Sequence, residues 1–224
     1  MKKLALAILG LTVVGSSVFA QTNQVLSRNA VGYVRIDAPA GSLRLIRHDF
    51  IDLAGGQAYV TNMIGNQLAQ GSSLYIWDLS NQTYQIANKG LRLWSPLTNV
   101  LRRGSAMFVR SSSNSTVYLM GEVPDATTAP TSKVYGLNGF NLAGVPYPVD
   151  TPFTNTPFFL GAAQGDSFYT WDGTNYGIYN RGLRLWSPPT VTNVVIKAGE
   201  GFWYFLRSGA APTNWTFPKP YTWP

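Results

Sequence analysis

The sequence predicts an all-β protein made of two tandem copies of one unit, each a β-sandwich or a small barrel. Three observations lead there. Helical periodicity is scarce beyond the first twenty residues. Glycine and proline, 22 and 14 in number, interrupt the chain every few residues. The runs between them, roughly four to eight residues long, are rich in aromatic and β-branched side chains, which is the composition of strands. Finally, Gly90-Leu91-Arg92-Leu93-Trp94-Ser95-Pro96 recurs without change as Gly182-Leu183-Arg184-Leu185-Trp186-Ser187-Pro188.

The flanks of the heptapeptide agree too. Gly71-Ser72-Ser73-Leu74-Tyr75-Ile76-Trp77-Asp78 matches Gly165-Asp166-Ser167-Phe168-Tyr169-Thr170-Trp171-Asp172, and Gly104-Ser105-Ala106-Met107-Phe108 matches Gly199-Glu200-Gly201-Phe202-Trp203. The offset drifts between blocks, as it does when turns take up small insertions. Gly41-Ser42-Leu43-Arg44-Leu45 and Gly139-Phe140-Asn141-Leu142-Ala143 match more loosely, in a different frame.

In the first copy the pattern predicts strands at Ala30–Ile36, Ser42–Ile46, Ser73–Trp77, Thr83–Ala87, Ala106–Arg110 and Thr116–Met120, with a short helix around Tyr59 to Met63. In the second it predicts Gly139–Gly144, Ser167–Trp171, Tyr176–Asn180, Val194–Ala198 and Gly201–Arg207. Asp172-Gly173 lies between two aromatic runs, and both residues tolerate the positive φ of a tight hairpin. The first copy spends a longer turn, after Asp78, on the same connection.

Residues 1–20 read as a secretory signal peptide: Lys2 and Lys3, an apolar Leu4–Val14 stretch, and Val18-Phe19-Ala20 before a cleavage point. The expected organisation is 1–20 signal peptide, 21–121 first unit, 122–132 a linker with two prolines, and 133–224 second unit. No later stretch is long and apolar enough for a helical membrane span. The expected location is outside the cytoplasm: periplasmic, cell-surface or extracellular.

With no cysteine the units have to stand on buried area alone, and 13% aromatic residues supply it. Charged residues are only 12%, half the usual share of about 25%, so the surface is dressed in neutral polar groups. The formal charge of +7 becomes +5 once Lys2 and Lys3 are removed. Its cations are scattered rather than arranged in a stripe, which argues against nucleic acid.

Gly139-Phe140-Asn141-Leu142-Ala143-Gly144-Val145-Pro146-Tyr147-Pro148 resembles an element of secreted bacterial surface-associated β domains, found in exported proteins of the planctomycete–verrucomicrobial kind. Gly199-Glu200-Gly201-Phe202-Trp203 is similar to an element those domains carry near their end. The resemblance implies an extracellular or surface β domain and brings no catalytic residues with it.

Chemistry-bearing residues are few. The single histidine, His48, reads as a surface residue at a strand end, with no second histidine and no nucleophile elbow beside it. Asp78 and Asp172 read as turn formers rather than a glycosidase pair. Asp49 and Asp52 lack a regular calcium-loop spacing. No metal or other cofactor is expected.

The aromatic residues are the better hint. Residues two apart on a strand share a face, so Tyr75 and Trp77, Tyr169 and Trp171, Arg92 and Trp94, and Arg184 and Trp186 form the candidate binding set. On that count Leu91, Leu93, Leu183 and Leu185 face the core, and Arg92 lies over Trp94 as a cation–π pair. The expected function is a non-enzymatic structural or interaction protein of the cell envelope or extracellular matrix; the alternative is a carbohydrate-binding module. Envelope proteins or polysaccharide are the expected partners.

Overall fold

The computed structural model describes residues 30–51, 59–96, 100–125 and 131–221. The expected export segment and Asp52 lie outside the described residues. The chain is all-β, as the sequence predicts, and contains two five-stranded sheets.

The first unit holds β1 (Val31–Ala38), β2 (Leu43–Arg47), α1 (Val60–Ile64), β3 (Ser73–Asp78), β4 (Thr83–Lys89), β5 (Trp94–Ser95), β6 (Ala106–Arg110) and β7 (Ser115–Glu122). The second holds β8 (Thr131–Gly136), β9 (Gly139–Ala143), β10 (Thr151–Pro152), α2 (Pro157–Leu160), β11 (Ser167–Trp171), β12 (Tyr176–Arg181), β13 (Trp186–Ser187), β14 (Val195–Ile196), β15 (Phe202–Leu206) and β16 (Thr213–Pro218). The segment read as a linker thus contains the end of β7 and the start of β8. Strands β8 and β16 escape the sequence reading because proline and neutral polar residues dominate their flanks.

The two units repeat one topology. Antiparallel sheet β2-β6-β3-β4-β5 corresponds to β9-β15-β11-β12-β13, and ribbon β1-β7 to β8-β16. Strands β3 and β4 pair Trp77 with Tyr84, and β11 and β12 pair Trp171 with Tyr176. Six residues separate the paired aromatics in the first hairpin and four in the second, so part of the drift in offset is absorbed here.

Each sheet has two apolar faces. The outer face packs against its own ribbon and short helix. Ile46, Leu74, Ile76 and Met107 meet Val117, Leu119, Val60 and Ile64 in the first unit. Phe168, Phe202 and Tyr204 meet Trp215, Phe217 and Phe158 in the second. The short helix α2 begins where the Thr156 hydroxyl accepts the Phe159 N–H, with Pro157 in its first turn. The inner faces pack against each other through a third cluster of Leu45, Ala106, Phe108, Leu142 and Trp203. Three cores in a row, separated by two sheets, make up the described body.

Candidate functional site

The inner faces meet across a local two-fold relation. Trp77 Nε1 donates to the Phe140 carbonyl at 2.8 Å, and its counterpart Trp171 donates to the Leu43 carbonyl at 2.9 Å. These reciprocal bonds put Leu43 against Phe140 and Leu45 against Leu142 as equivalents, a frame one residue away from the one the two glycines suggest. Ile46 bridges to Glu200, and Ala143 bridges to Ser105 in the same reciprocal way. Arg47 N–H donates to the Gly199 carbonyl, and Gly144 N–H to the Gly104 carbonyl.

Equivalent residues touch where the dyad passes. Phe108 and Trp203 lie 6.5 Å apart, centroid to centroid. A Cβ on Gly201 would fall 2.4 Å from Ala106 Cβ, so only glycine allows this approach. The dyad therefore runs from the Arg47–Gly144 contact between β2 and β9, through the middle of the seam, toward β4 and β12.

Around it stands a network of rings. Trp77 meets Trp203 edge-on at 4.8 Å and Tyr84 at 5.0 Å; Trp171 meets Tyr176 at 4.6 Å and Phe108 at 6.0 Å. All but the tilted Trp171–Tyr176 pair are edge-to-face, and such contacts add to the area they bury. Beyond the packed part the sheets diverge, and an open cleft of about 330 Å³ remains, lined by Trp77, Tyr84, Phe140, Tyr169, Tyr176, Ile178 and Trp203. Phe140, Tyr176 and Ile178 in its wall are 40%, 44% and 49% exposed. Burial, with Tyr176 close by, pushes the Tyr84 hydroxyl well above the usual tyrosine range.

The flanks of the seam are more polar. One cleft, of about 580 Å³, brings Arg102, Arg103 and Lys133 beside Trp77 and Tyr135. Another, of about 340 Å³, brings Arg35, Arg44 and Lys197 beside Trp171, with Asp37 and Glu200.

Half of the candidate set is thus at the seam: Tyr75, Trp77, Tyr169 and Trp171 all pack against its cluster. The other half lies away from the seam, and there the expected orientation of the tryptophans and leucines is corrected. Trp94 and Trp186 are buried, each in the outer core of its own unit, and they form neither an open platform nor the unit–unit contact. Leu91, Leu93, Leu183 and Leu185 face solvent, the reverse of the expectation. Arg92 and Arg184 are exposed with them, and the cation over Trp94 is Lys89, with Nζ 5.5 Å from the ring centroid.

The reason is local. Gly90 N–H bonds to the Leu93 carbonyl, and Gly182 N–H to that of Leu185, so each tetrapeptide is a loop. Alternation holds only along extended chain. It restarts at Trp94, which pairs with the buried Lys89, and at Trp186, which pairs with Arg181.

His48 is another correction: it is buried, between Arg47 and Asp49 at the seam. Arg47 donates to Asp49 and to the Tyr147 and Val149 carbonyls, while Asp49 accepts the Gly199 N–H at 2.8 Å. Burial pushes the Asp49 carboxyl up to about 6, against the opposing pull of Arg47 and Gly199.

The turn reading of the two repeat-related aspartates holds. Asp78 accepts from the Ser80 and Asn81 N–H groups, and Asp172 from those of Thr174 and Asn175. The Asn81 side-chain amide, which also donates to Asp78 at 3.0 Å, and the Asn175 N–H on Asp172 do most to hold the two carboxyls below the usual carboxylate range. Among the described residues no three of His, Asp and Glu come together as a metal site would require.

Tyr84, Phe108, Phe140, Tyr176, Ile178 and Trp203 are the seam and cleft residues that the sequence reading missed. Tyr84 and Ile86, like Tyr176 and Ile178, alternate along a strand whose partner carries the named tryptophan. That cross-strand pattern is the signal that finds them. No protein-family model, no curated protein and no solved structure matches this chain.

Proposed function

We propose that this chain is an exported, non-enzymatic interaction protein of the cell envelope or extracellular matrix, in which two fused units present one aromatic cleft to a partner. The observation that carries the reading is the cleft at the seam, walled by exposed Tyr176, Phe140 and Ile178 and backed by two tryptophans. Concave apolar surface with a few hydroxyls is the usual form of a binding site, and tyrosine and tryptophan dominate interface energetics. Four of the ten acids are held in structural contacts: Asp78 and Asp172 in turns, Asp49 with Arg47, and Asp166 with Tyr204 and Arg207. The resemblance to secreted surface-associated β domains points the same way.

Carbohydrate binding is the second reading, favoured by the ring-lined floor of the same cleft, on which a sugar face can stack. A glycan array with the protein lacking residues 1–20 separates the two. The carbohydrate reading expects binding that Tyr176→Ala and Phe140→Ala abolish while Leu93→Ala leaves it unchanged. The interaction reading expects a silent array, together with an envelope protein that crosslinks to a photoreactive residue at position 176. Hydrolysis of any arrayed glycan would overturn the non-enzymatic reading.

A further inference from the structure

The two copies have diverged over most of their length, yet residues 90–96 and 182–188 are identical. Folding explains part of that identity. Gly90 and Gly182 close the loops, and Trp94 and Trp186 fill the cores. It does not explain the three residues between. Leu91, Leu93, Leu183 and Leu185 are 78%, 67%, 75% and 78% exposed, and Arg92 and Arg184 are exposed beside them. Solvent-facing residues of a turn are free to drift, and the other hairpin connection has done so in both length and composition: Asp78-Leu79-Ser80-Asn81-Gln82-Thr83 stands opposite Asp172-Gly173-Thr174-Asn175. Two leucines held in water on each of two loops point to use rather than to folding.

Geometry says something about the partner. The loops follow β4 and β12, the strands toward which the dyad runs, and points related by a dyad lie at equal height along it. The loops connect the last two strands of each sheet at that end, so a single surface normal to the dyad can meet both at once. They present the same chemistry at each point of contact, two apolar side chains around one cation, with no acid in either loop. A protein partner would need a matching two-fold of its own. A lipid surface is flat, uniform and, with acidic headgroups, opposite in charge to a chain that keeps a formal charge of +5 (+7 less Lys2 and Lys3) without residues 1–20.

We infer that the two Leu-Arg-Leu loops are a paired docking device for a lipid surface bearing anionic headgroups. The leucines enter the acyl boundary, and Arg92 and Arg184 pair with headgroup phosphates. Two weak contacts on one body reinforce each other. The inference uses none of the cleft residues, so either can fail without the other.

The test is co-flotation of the protein lacking residues 1–20 with vesicles of phosphatidylcholine alone and with about one third phosphatidylglycerol. Binding is expected to the anionic vesicles and to weaken with salt. Leu91→Ser with Leu93→Ser should reduce it roughly tenfold or more, since burying even one leucine is worth that much. The same changes at Leu183 and Leu185 should do likewise, and all four together should abolish it. Arg92→Gln with Arg184→Gln should remove the preference for anionic vesicles. Unchanged thermal melts of the variants show that the fold is intact. Failure of the parent protein to float, or flotation that the fourfold variant retains, overturns the inference. So does concentration-dependent self-association, measured by sedimentation, that the fourfold variant abolishes, because the loops would then serve a second copy of the chain.

Discussion

Arg47 and Gly144 occupy equivalent places in the two units, and the dyad brings them into contact. A Cβ at 144 would lie 2.5 Å from Arg47 Cδ, and Arg47 is fully buried and tied to Asp49 and to two carbonyls of the other unit. The glycine leaves room for the guanidinium stem at a point where two arginines would repel. Gly144→Ala is expected to destabilise by about 1–3 kcal/mol, the usual cost of overpacking, read from the urea midpoint. Arg47→Met should cost more, about 3–5 kcal/mol above pH 6, because it strands a buried carboxylate. Asp49 also sets a pH dependence. Its folded pKa of about 6 stands above the ordinary 3.8, so between those values the folded chain keeps a proton that the unfolded chain has released. Its contribution to stability is full below pH 4 and is lost as the pH rises through about 6. Urea midpoints at pH 4.5 and 6.5 should therefore fall in the parent protein relative to Asp49→Asn, which has no such titration.

At the scale of elements, the β4–β5 and β12–β13 hairpins show how one loop reverses an inside–outside assignment. Trp94 and Trp186 are 4% and 7% exposed, while the leucines just before them face water. Trp94→Ala and Trp186→Ala are each expected to cost about 3–5 kcal/mol, whereas Leu93→Ala and Leu185→Ala should change stability by no more than about 0.5 kcal/mol. Chemical denaturation of the four variants checks the assignment, and the opposite ranking would restore the simple alternation. The two tryptophans also differ in detail. Trp94 Nε1 donates to the Gly65 carbonyl at 2.8 Å, whereas Trp186 Nε1 has no partner among the described residues. Trp186→Phe should accordingly be tolerated better than Trp94→Phe, since an unpaired buried donor costs free energy.

For the whole molecule, the seam decides whether two units behave as one. Reciprocal tryptophan bonds, reciprocal bridges and an aromatic layer join them, so the inner face of each sheet is apolar only because the other covers it. A single calorimetric transition is expected, with van't Hoff and calorimetric enthalpies equal. Trp77→Ala combined with Trp171→Ala, which removes both bonds and much of the ring network, should split or broaden it. A parent protein that already melts in two steps would show that the seam is a weak contact.

Much of this architecture could be read from the residues. Short aromatic and β-branched runs between glycines and prolines specify strands, because that composition suits a pleated, half-buried surface, and the repeated heptapeptide specifies duplication. Asp78 and Asp172 could be assigned to turns, since an aspartate bonds the N–H groups that follow it within its own segment. These are local matters, decided by chain neighbours. The inward turn of Trp94 and the outward turn of the four leucines are local as well, since a hydrogen bond inside each Gly-Leu-Arg-Leu tetrapeptide interrupts the alternation. Burial at the end of β2 is not local: Arg47 is core where the second unit closes over it and offers the Tyr147 and Val149 carbonyls. The cleft likewise exists in neither copy alone. Its walls come from strands some ninety residues apart in sequence, and long-range packing of two apolar faces, which no short window of residues encodes, is what brings them together.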